Sequence, residues 1–196
     1  MGELKVIYDD MLTAAQVFGK TQADMVYGEG NANARIILVG EAPGAEETRL
    51  SRPFVGKAGK NLDEFLGVLE LNREDIYITN VVKFRPFKVS ELGRLSNRPP
   101  KRDEIACMLP HLLREIEAVA PKIVVTLGNV PLKAVLGQKG VTIGACHAKA
   151  TGASAQALDF TLFPLYHPAS IIYNRALAAV YNDDLLALKA YIHSEL

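Results

Sequence analysis

The sequence predicts an α/β fold, a three-layer αβα sandwich in which helices cover both faces of a central, mostly parallel four-stranded sheet. Four short apolar runs rich in β-branched residues, each bounded by turn-forming residues, have the composition of buried strands. Segments with helical spacing lie between these runs, and this alternation of strand and helix is typical of βαβ units. The predicted strands are residues 36–39, 76–82, 123–127 and 160–166.

Apolar residues three or four positions apart predict the helices. The predicted helices cover residues 62–69, 105–116 and 185–192. Pro121 ends the second helix before the third strand begins. Residues 84–102, rich in proline and arginine, predict a loop longer than most connections in compact domains. Residues 141–158, rich in glycine, alanine, serine and threonine, predict a hairpin or a loop.

Length and composition indicate one domain over residues 1–196, because 196 residues with 49% apolar content can bury a single core. No stretch reaches the ~18 consecutive apolar residues of a membrane span, and the N-terminus lacks the pattern of a secretory signal. We therefore expect a cytoplasmic monomer without a membrane partner. Cys107 and Cys146 are far apart and form no CxxC pair, which favours buried thiols over a disulfide framework or a zinc site.

Positive charge is concentrated in one segment although the chain as a whole is neutral. Residues 83–102 hold seven basic residues and one acidic residue. Such a segment suits the phosphates of a nucleic acid, and a solvated loop explains the same composition equally well.

Polar residues follow the predicted strands at the points where the strands end. Glu41 and Glu47 follow the first strand, Asn80 lies at the end of the second, and His167 follows the fourth. Parallel strands place such residues together at one edge of the sheet, where α/β folds bind ligands. Each residue also has a structural explanation: a solvated turn for the glutamates, satisfaction of buried backbone groups for Asn80, and a helix cap or core position for His167. The loop after the first strand lacks the GxGxxG and GxxxxGK[ST] fingerprints, so we expect no nucleotide cofactor.

Several motifs resemble those of the uracil-DNA glycosylases, most closely the iron–sulfur branch called family four. The resemblance extends over residues 26–193. The motifs are Tyr27-Gly28-Glu29-Gly30, Gly40-Glu41-Ala42-Pro43-Gly44 with Glu47, Arg52-Pro53-Phe54-Val55-Gly56-Lys57-Ala58-Gly59, Ile78-Thr79-Asn80-Val81-Val82-Lys83 leading to Arg85-Pro86, Pro121-Lys122-Ile123-Val124 leading to Leu127-Gly128, and His167-Pro168-Ala169.

The resemblance implies an enzyme that flips uracil out of DNA and hydrolyses its glycosidic bond, leaving an abasic site. Phe54 would stack on the flipped base, although a core phenylalanine is the simpler explanation of the residue. Asn80 would pair with N3–H and O4 of uracil, whereas cytosine presents the reverse pattern. His167 would donate to O2 of the departing anion.

The first loop would supply the remaining substrate contacts. Gly40 and Ala42 would lie beside the base, and Glu47 near its C5 edge would disfavour the methyl group of thymine. Other uracil glycosylases place a water-orienting aspartate at the position of Ala42. Glu41, through its backbone or its carboxylate, is therefore the candidate for holding the water.

DNA contacts are implied for two sets of residues. Residues 170–173 match a loop that enters the minor groove in relatives, with Ile171, Ile172 and Tyr173 as the wedge; the start of the last helix is an equal alternative. The candidate phosphate contacts are Lys83, Arg85, Arg98 and Arg175.

The chain departs from family four at the cluster cysteines. Thr13, Gln16 and Phe84 occupy three of the four ligand positions, and only Cys107 remains. A four-iron cluster requires thiolates, so we predict no iron–sulfur cluster and no other cofactor. Residues 87–96 are an insertion that lengthens the basic segment.

Other functions stay open on the sequence alone. The pocket could accept another deaminated base such as hypoxanthine or xanthine. The chain could also bind damaged DNA without cleaving it, or, more distantly, bind a small molecule as flavodoxin-like domains do.

Overall fold

The computed structural model describes residues 2–170 and 174–196 and confirms the predicted α/β sandwich. Four strands, numbered here in chain order among all strands, run parallel at the centre of the sheet. They are β2 (Ile36–Gly40), β3 (Tyr77–Asn80), β6 (Ile123–Leu127) and β8 (Leu158–Leu165). Their order in the sheet is β3-β2-β6-β8, with Gly40 level with Asn80 and Val39 level with Thr126.

Two short antiparallel strands extend the sheet beyond the four that the sequence predicted. β1 (Glu29–Gly30) pairs with β3, and β7 (Thr151–Ala155) pairs with β8. β7 and β8 form a hairpin, one of the two alternatives predicted for residues 141–158. β1 has only two residues, and β7 carries few of the bulky side chains that mark strands.

Helices cover both faces of the sheet. They are α1 (Gly2–Ala15), α2 (Ala45–Leu50), α3 (Lys57–Leu69), α4 (Arg102–Val119), α5 (Asn129–Leu136), α6 (Ile143–Cys146) and α7 (Leu177–Glu195). Short 3-10 turns occur at Gln16–Phe18, Gln22–Asp24 and Arg73–Asp75. α1, which the sequence reasoning did not identify, buries residues at four-residue spacing, namely Ile7, Met11 and Ala15, and packs against α4.

Alternation along the strands divides the core into two layers. Ile37 and Val39 of β2 face the layer formed with α1, α4 and α5, whereas Ile36 and Leu38 face the layer formed with α3 and α7. All five residues of β2 and of β6 are buried, as expected of central parallel strands. The strand ends that carry the candidate site are therefore held from both sides.

Residues 84–102 are more ordered than the predicted loop. They contain a two-stranded antiparallel hairpin formed by β4 (Phe87–Val89) and β5 (Leu95–Asn97). The hairpin coincides with the insertion 87–96 and is exposed along both strands, which explains why it lacks the apolar pattern of the core strands.

Within the described parts of the chain, no helix combines the length and the apolar character that a membrane crossing requires.

Candidate active site

A cavity of about 570 Å³ opens at the carboxyl ends of the parallel strands. The loops after β2 and β8 and the last residue of β3 contribute to its wall, together with the first turn of α3. Residues predicted from the sequence that line it are Ala42, Glu47, Phe54, Asn80 and His167. The edge of the sheet therefore brings together the main group of predicted site residues.

Asn80 and Phe54 meet over Gly40. A Cβ atom built at Gly40 would lie 2.5 Å from Cζ of Phe54 and also against Oδ1 of Asn80. Both side chains are almost fully buried, with exposed fractions of 3% for Asn80 and 5% for Phe54. Among the described residues, the Asn80 carboxamide has no hydrogen-bond partner, so its donor and acceptor remain available to a ligand in the cavity.

Phe54 has an unusual backbone conformation, with a φ of 53° in the left-handed region. Nη2 of Arg73 donates to its carbonyl oxygen at 2.6 Å, and Nη1 donates to the carbonyl oxygen of Pro53 at 3.4 Å. The same carbonyl of Phe54 approaches Gly59 so closely that no side chain fits there. Such a conformation costs of order 1–3 kcal/mol and persists when its surroundings fix it. Arg73 and Gly59 thus aim the phenyl ring at the cavity.

His167 is held as a neutral imidazole with a defined tautomer. Burial lowers its pKa to about 4, against a weak opposing effect of the Glu47 carboxylate. The backbone N–H of Ala169 donates to Nδ1 at 3.1 Å, so Nδ1 is an acceptor and the single proton lies on Nε2. The imidazole lies beside the Phe54 ring, with the two centroids 6.0 Å apart. His167 therefore provides an N–H donor at neutral pH.

The Glu47 carboxylate bridges two segments that line the cavity. Its carboxylate accepts from the backbone N–H groups of Gly44, Val55 and Gly56, at 3.0, 3.1 and 2.6 Å respectively. The loop after β2 and the segment leading into α3 are clamped by this one side chain. Its predicted effect on the methyl group of thymine stays a prediction.

Glu41 lies in an adjoining cavity of about 370 Å³. The two cavities share Ala42, Pro43, Asn97, His167 and Ala169. The Glu41 carbonyl oxygen accepts from the backbone N–H of Val82 at 3.1 Å, and burial raises the pKa of its carboxyl group. Glu41 therefore combines a position at the adjoining cavity with a carboxyl group whose pKa is raised.

The prediction that Lys83 contacts DNA phosphate is wrong, because Lys83 is completely buried. Its ammonium donates to Oε2 of Glu115 at 2.6 Å, and to Oγ1 of Thr79 and the carbonyl oxygen of Asn80, both at 2.5 Å. Burial lowers the pKa of Lys83, and the Glu115 carboxylate opposes this. All three ammonium protons have partners within the core, which fixes the chain between Asn80, at the end of β3, and Lys83.

The same network continues within the layer that α1 and α4 form on one face of the sheet. The Tyr77 hydroxyl donates to Oε1 of Glu115 at 2.9 Å and also hydrogen-bonds to the Tyr8 hydroxyl. Tyr8 donates to the carbonyl oxygen of Gly28 at 3.2 Å. α1, β3 and α4 are thereby joined under the candidate site.

The other predicted DNA contacts differ in their surroundings. Arg98 is partly exposed, and its guanidinium forms a two-pronged ion pair with Glu104 at 2.6 and 2.7 Å and donates to backbone carbonyls. Its contact with DNA phosphate stays a prediction. Arg85 is partly exposed and donates to Oδ1 of Asn97 at 2.7 Å. Arg175 is exposed just before α7. The wedge predicted at Ile171, Ile172 and Tyr173 lies outside the described residues.

The lining residues that were not assigned to the site from the sequence include Asn97 and Lys57. Asn97, at the end of β5, borders both cavities, and Lys57, the first residue of α3, borders the larger one. Lys57 had a signal, since it directly follows the Phe54-Val55-Gly56 segment. Asn97 had none, because it lies in the loop whose hairpin was not predicted.

The positions of the expected cluster cysteines do not fit an iron–sulfur cluster. Phe84 is fully buried, and its ring packs against that of Phe18 with centroids 5.6 Å apart. Thr13 is exposed and donates to the carbonyl oxygen of Asp9 at 3.0 Å. The Cys107 thiol donates to the carbonyl oxygen of Ala14 at 3.5 Å, and burial raises its pKa. The four expected ligand positions hold one thiol, that of Cys107, and otherwise a hydroxyl, a carboxamide and a phenyl ring. They therefore cannot supply the four thiolates that a cluster requires. No group of three or more potential metal ligands occurs within residues 2–170 and 174–196.

The chain is similar to known uracil-DNA glycosylases. The family model described as the uracil DNA glycosylase superfamily matches residues 27–186. The Type-4 uracil-DNA glycosylase of Saccharolobus solfataricus is 35% identical over 200 residues, covering 100% of this chain and 89% of the relative. The Type-4 uracil-DNA glycosylase of Thermotoga maritima is 36% identical, covering 89% of this chain and 86% of the relative.

A solved structure confirms the fold independently. The crystal structure of SMUG2 from Pedobacter heparinus has a TM-score of 0.59 at 16% identity, covering 82% of this chain and 77% of that one. At this identity the likeness shows the fold alone. The family model and the Type-4 relatives confirm the resemblance noted from the motifs, and the chain belongs to the uracil DNA glycosylase superfamily, a family of N-glycosidic-bond hydrolases.

Proposed function

We propose that this chain removes uracil from DNA by hydrolysing its N-glycosidic bond. The observation that carries the proposal is the convergence of Asn80, Phe54 and His167 on one cavity. The Type-4 relatives are uracil-DNA glycosylases, which supports the same substrate.

Base recognition would fall to Asn80. Oδ1 of its carboxamide would accept from N3–H of uracil, and Nδ2 would donate to O4. Cytosine carries an acceptor at N3 and a donor at N4, so it would leave both groups of Asn80 without partners in a buried position. A site built in this way rejects the wrong hydrogen-bonding pattern strongly. The Phe54 ring would stack on the face of the base.

Departure of the base would be assisted by His167. As the bond between C1′ and N1 breaks, the electron pair stays on uracil, and the sugar acquires oxocarbenium character. The Nε2–H donor of the neutral imidazole would stabilise the charge that develops on O2. By analogy with a single oxyanion-hole donor, this contribution is roughly 3–4 kcal/mol of barrier.

Water would attack the sugar, and Glu41 would hold this water in position. The oxygen of water would bond to C1′ as the bond between C1′ and N1 breaks, and the Glu41 carboxylate would take up one proton of this water. The released uracil anion would then be protonated by solvent, and Glu41 would return its proton to solvent. Glu41 borders the adjoining cavity, and the raised pKa of its carboxyl group makes its carboxylate a stronger base than that of an ordinary surface glutamate. The step leaves an abasic site and an intact phosphodiester backbone.

The proposal assigns no step to an iron–sulfur cluster, since the residues at the ligand positions do not supply its thiolates. Phe84 instead belongs to the buried apolar cluster that includes residues of α1 and α4, and its ring packs against Phe18.

An oligonucleotide panel tests the proposal. Single-stranded and duplex DNA carrying uracil, hypoxanthine or xanthine are incubated with the protein and a metal chelator. The released base is identified by mass spectrometry, and a visible absorption spectrum is recorded on the same preparation. We expect free uracil, alkali-labile strands and no iron–sulfur absorption band. Intact uracil-containing strands after incubation with folded, DNA-binding protein would contradict the proposal and favour a non-catalytic binder.

A further inference from the structure

The hairpin β4–β5 exposes an unusual amount of apolar surface. Phe87, Val89, Leu92 and Leu95 have exposed fractions of 36%, 59%, 84% and 54%. Single exposed apolar residues need no explanation, but a contiguous group of them marks an interaction site. A two-stranded hairpin is also only marginally stable by itself in water. Contact with another molecule would cover this surface.

The apolar residues share one face of the ribbon, which leads away from the cavity. Phe87 pairs with Asn97, and Val89 pairs with Leu95. Directly paired residues on antiparallel strands point to the same side, and residues two apart on one strand do so as well. The face therefore begins at Asn97, which borders the cavity, and continues through Val89 and Leu95 towards Leu92 in the turn.

The base of the hairpin is fixed to the cavity rim. Arg98 donates from its backbone N–H to the carbonyl oxygen of Pro86 at 3.1 Å and from Nε to that of Phe87 at 3.2 Å. Arg98 is itself held by the Glu104 carboxylate, and Arg85 donates to the Asn97 side chain. The ribbon thus projects from the mouth of the base cavity in a defined direction.

Charge on the hairpin identifies the kind of partner. Lys88 and Arg94 lie on the opposite face of the ribbon, because Lys88 alternates with Phe87 and Val89 and Arg94 precedes Leu95. Neither forms an ion pair with any described residue. Arg85, Lys101 and Arg102 at its base likewise form no ion pair within the described ranges. Exposed cations around an apolar tip suit the phosphates and base stack of duplex DNA, in which apolar side chains can insert between base steps.

We propose that the β4–β5 hairpin is a DNA-contacting element that lies along the duplex beside the flipped nucleotide, with Leu92 entering the base stack and Lys88 and Arg94 contacting phosphates. The inference rests on the proposed function, because it places the target nucleotide in the cavity that Asn97 borders. According to this proposal, the insertion 87–96 contributes to the binding of duplex DNA.

The variant Leu92→Asp tests the apolar contact without disturbing the core, because this side chain is 84% exposed. Leu186→Asp on α7, at a position that is 50% exposed, is the matched control. Two substrates are compared under single-turnover conditions: a duplex with one uracil, and a trinucleotide with central deoxyuridine that is too short to reach the hairpin. We expect Leu92→Asp to lower the ratio of duplex to trinucleotide rates about tenfold, the scale of one lost apolar contact. Leu186→Asp should keep the wild-type ratio.

The double variant Lys88→Ala/Arg94→Ala tests the phosphate contacts. The slope of log affinity for a uracil-containing duplex against log salt should become less steep by about 1.8, since each phosphate contact contributes about 0.9. Lys5→Ala/Lys139→Ala, at exposed lysines of α1 and of the loop after α5, is the control and should retain the wild-type slope.

The outcomes separate the two proposals. A wild-type protein that releases no uracil from either substrate would refute the proposed function. Wild-type release of uracil with an unchanged rate ratio in Leu92→Asp and an unchanged salt slope in the double variant would refute the hairpin inference alone. A dimer in sedimentation analysis that Leu92→Asp dissociates would also overturn it, because the apolar face would then be covered by a second copy of the chain.

Discussion

The backbone N–H of Ala169 donates to Nδ1 of His167, and this single contact decides which nitrogen of the imidazole carries the proton. Since burial holds the pKa of His167 at about 4, the ring is neutral at physiological pH and its proton lies on Nε2. A neutral donor can stabilise an oxygen that becomes negative without the cost of burying a cation.

Titration of His167 should therefore occur near pH 4. Its folded pKa is lower than the value of about 6.5 expected in the unfolded chain. The unfolded chain thus binds the proton more readily, so the contribution of His167 to stability is complete above about pH 6.5 and is lost as pH falls towards 4. Histidine Cε1–H chemical shifts measured between pH 3 and 8 check this, with His167→Asn to assign the resonance. A titration midpoint of His167 near pH 6.5 would mean that the imidazole is protonated in much of the protein below that pH. This result would contradict the role of His167 as a neutral donor there.

Substitution of Gly40 should remove activity while leaving the fold intact. In Gly40→Ala the added Cβ would meet Cζ of Phe54 at 2.5 Å and displace the Asn80 carboxamide. Because misplacement of about 1 Å can cost 10²-fold in rate, we expect a loss of at least about a hundredfold in kcat/KM for uracil-containing DNA.

Gly67→Ala is the matched control for this change. Gly67 lies within α3 and has no atom within 4 Å of a Cβ built on it. This substitution should stabilise the protein by about 0.5–1 kcal/mol and leave activity unchanged. Urea denaturation and steady-state kinetics measure both variants. Equal activity of the two would show that the approach of Asn80 to Phe54 is irrelevant to catalysis.

The buried pair of Lys83 and Glu115 should behave as a coupled unit. Lys83→Met leaves a carboxylate without its partner in the core and should cost about 3–5 kcal/mol of the free energy of unfolding. Lys83→Met/Glu115→Leu should recover much of that loss, because no charge then remains buried. Chemical denaturation of both single variants and the double variant gives the coupling energy. Strict additivity would mean that the two charges do not stabilise each other.

The same double variant tests the corrected role of Lys83. Since Lys83 is buried, its loss should leave the salt dependence of DNA affinity unchanged. A slope that is less steep by about 0.9 would instead restore Lys83 as a phosphate contact.

Arg73 should act on the reaction through Phe54. Arg73→Met removes both hydrogen bonds to the carbonyls of Pro53 and Phe54, so the left-handed conformation loses its support and the ring shifts. We expect kcat/KM to fall about tenfold or more. Asp63→Asn is the control, since it removes only the charge that pairs with Nε of Arg73. Because Asp63 is largely exposed, this substitution should cost at most about 1 kcal/mol of the free energy of unfolding. Rescue by Arg73→Lys would argue against a need for the two-pronged contact.

Asn80 and His167 could be located from the sequence because only the ends of the predicted strands had to be known. Once the parallel strands were recognised, their carboxyl ends had to meet at one edge, and polar residues there had to lie close together. The same reasoning failed for Lys83. In sequence it resembles Arg85 two positions later, and its burial depends on Glu115, a partner 32 positions away on α4. Such a pairing leaves no local signal.

The conformation of Phe54 and the hairpin were beyond prediction for similar reasons. A phenylalanine ordinarily avoids positive φ, and only the tertiary contacts of Arg73 and Gly59 make that conformation favourable. The hairpin has no buried face, so the alternation of apolar and polar residues that reveals core strands is missing.

Single-turnover release of the base measures the roles of Asn80 and His167 in the reaction. Oligonucleotides with uracil, cytosine or thymine at one position are incubated with excess wild-type protein, Asn80→Ala or His167→Ala, and the free base is quantified. We expect that the wild type releases uracil but neither cytosine nor thymine, and that each substitution slows uracil release by about a hundredfold or more in a protein that remains folded. Release of uracil by both variants at the wild-type rate would contradict this expectation.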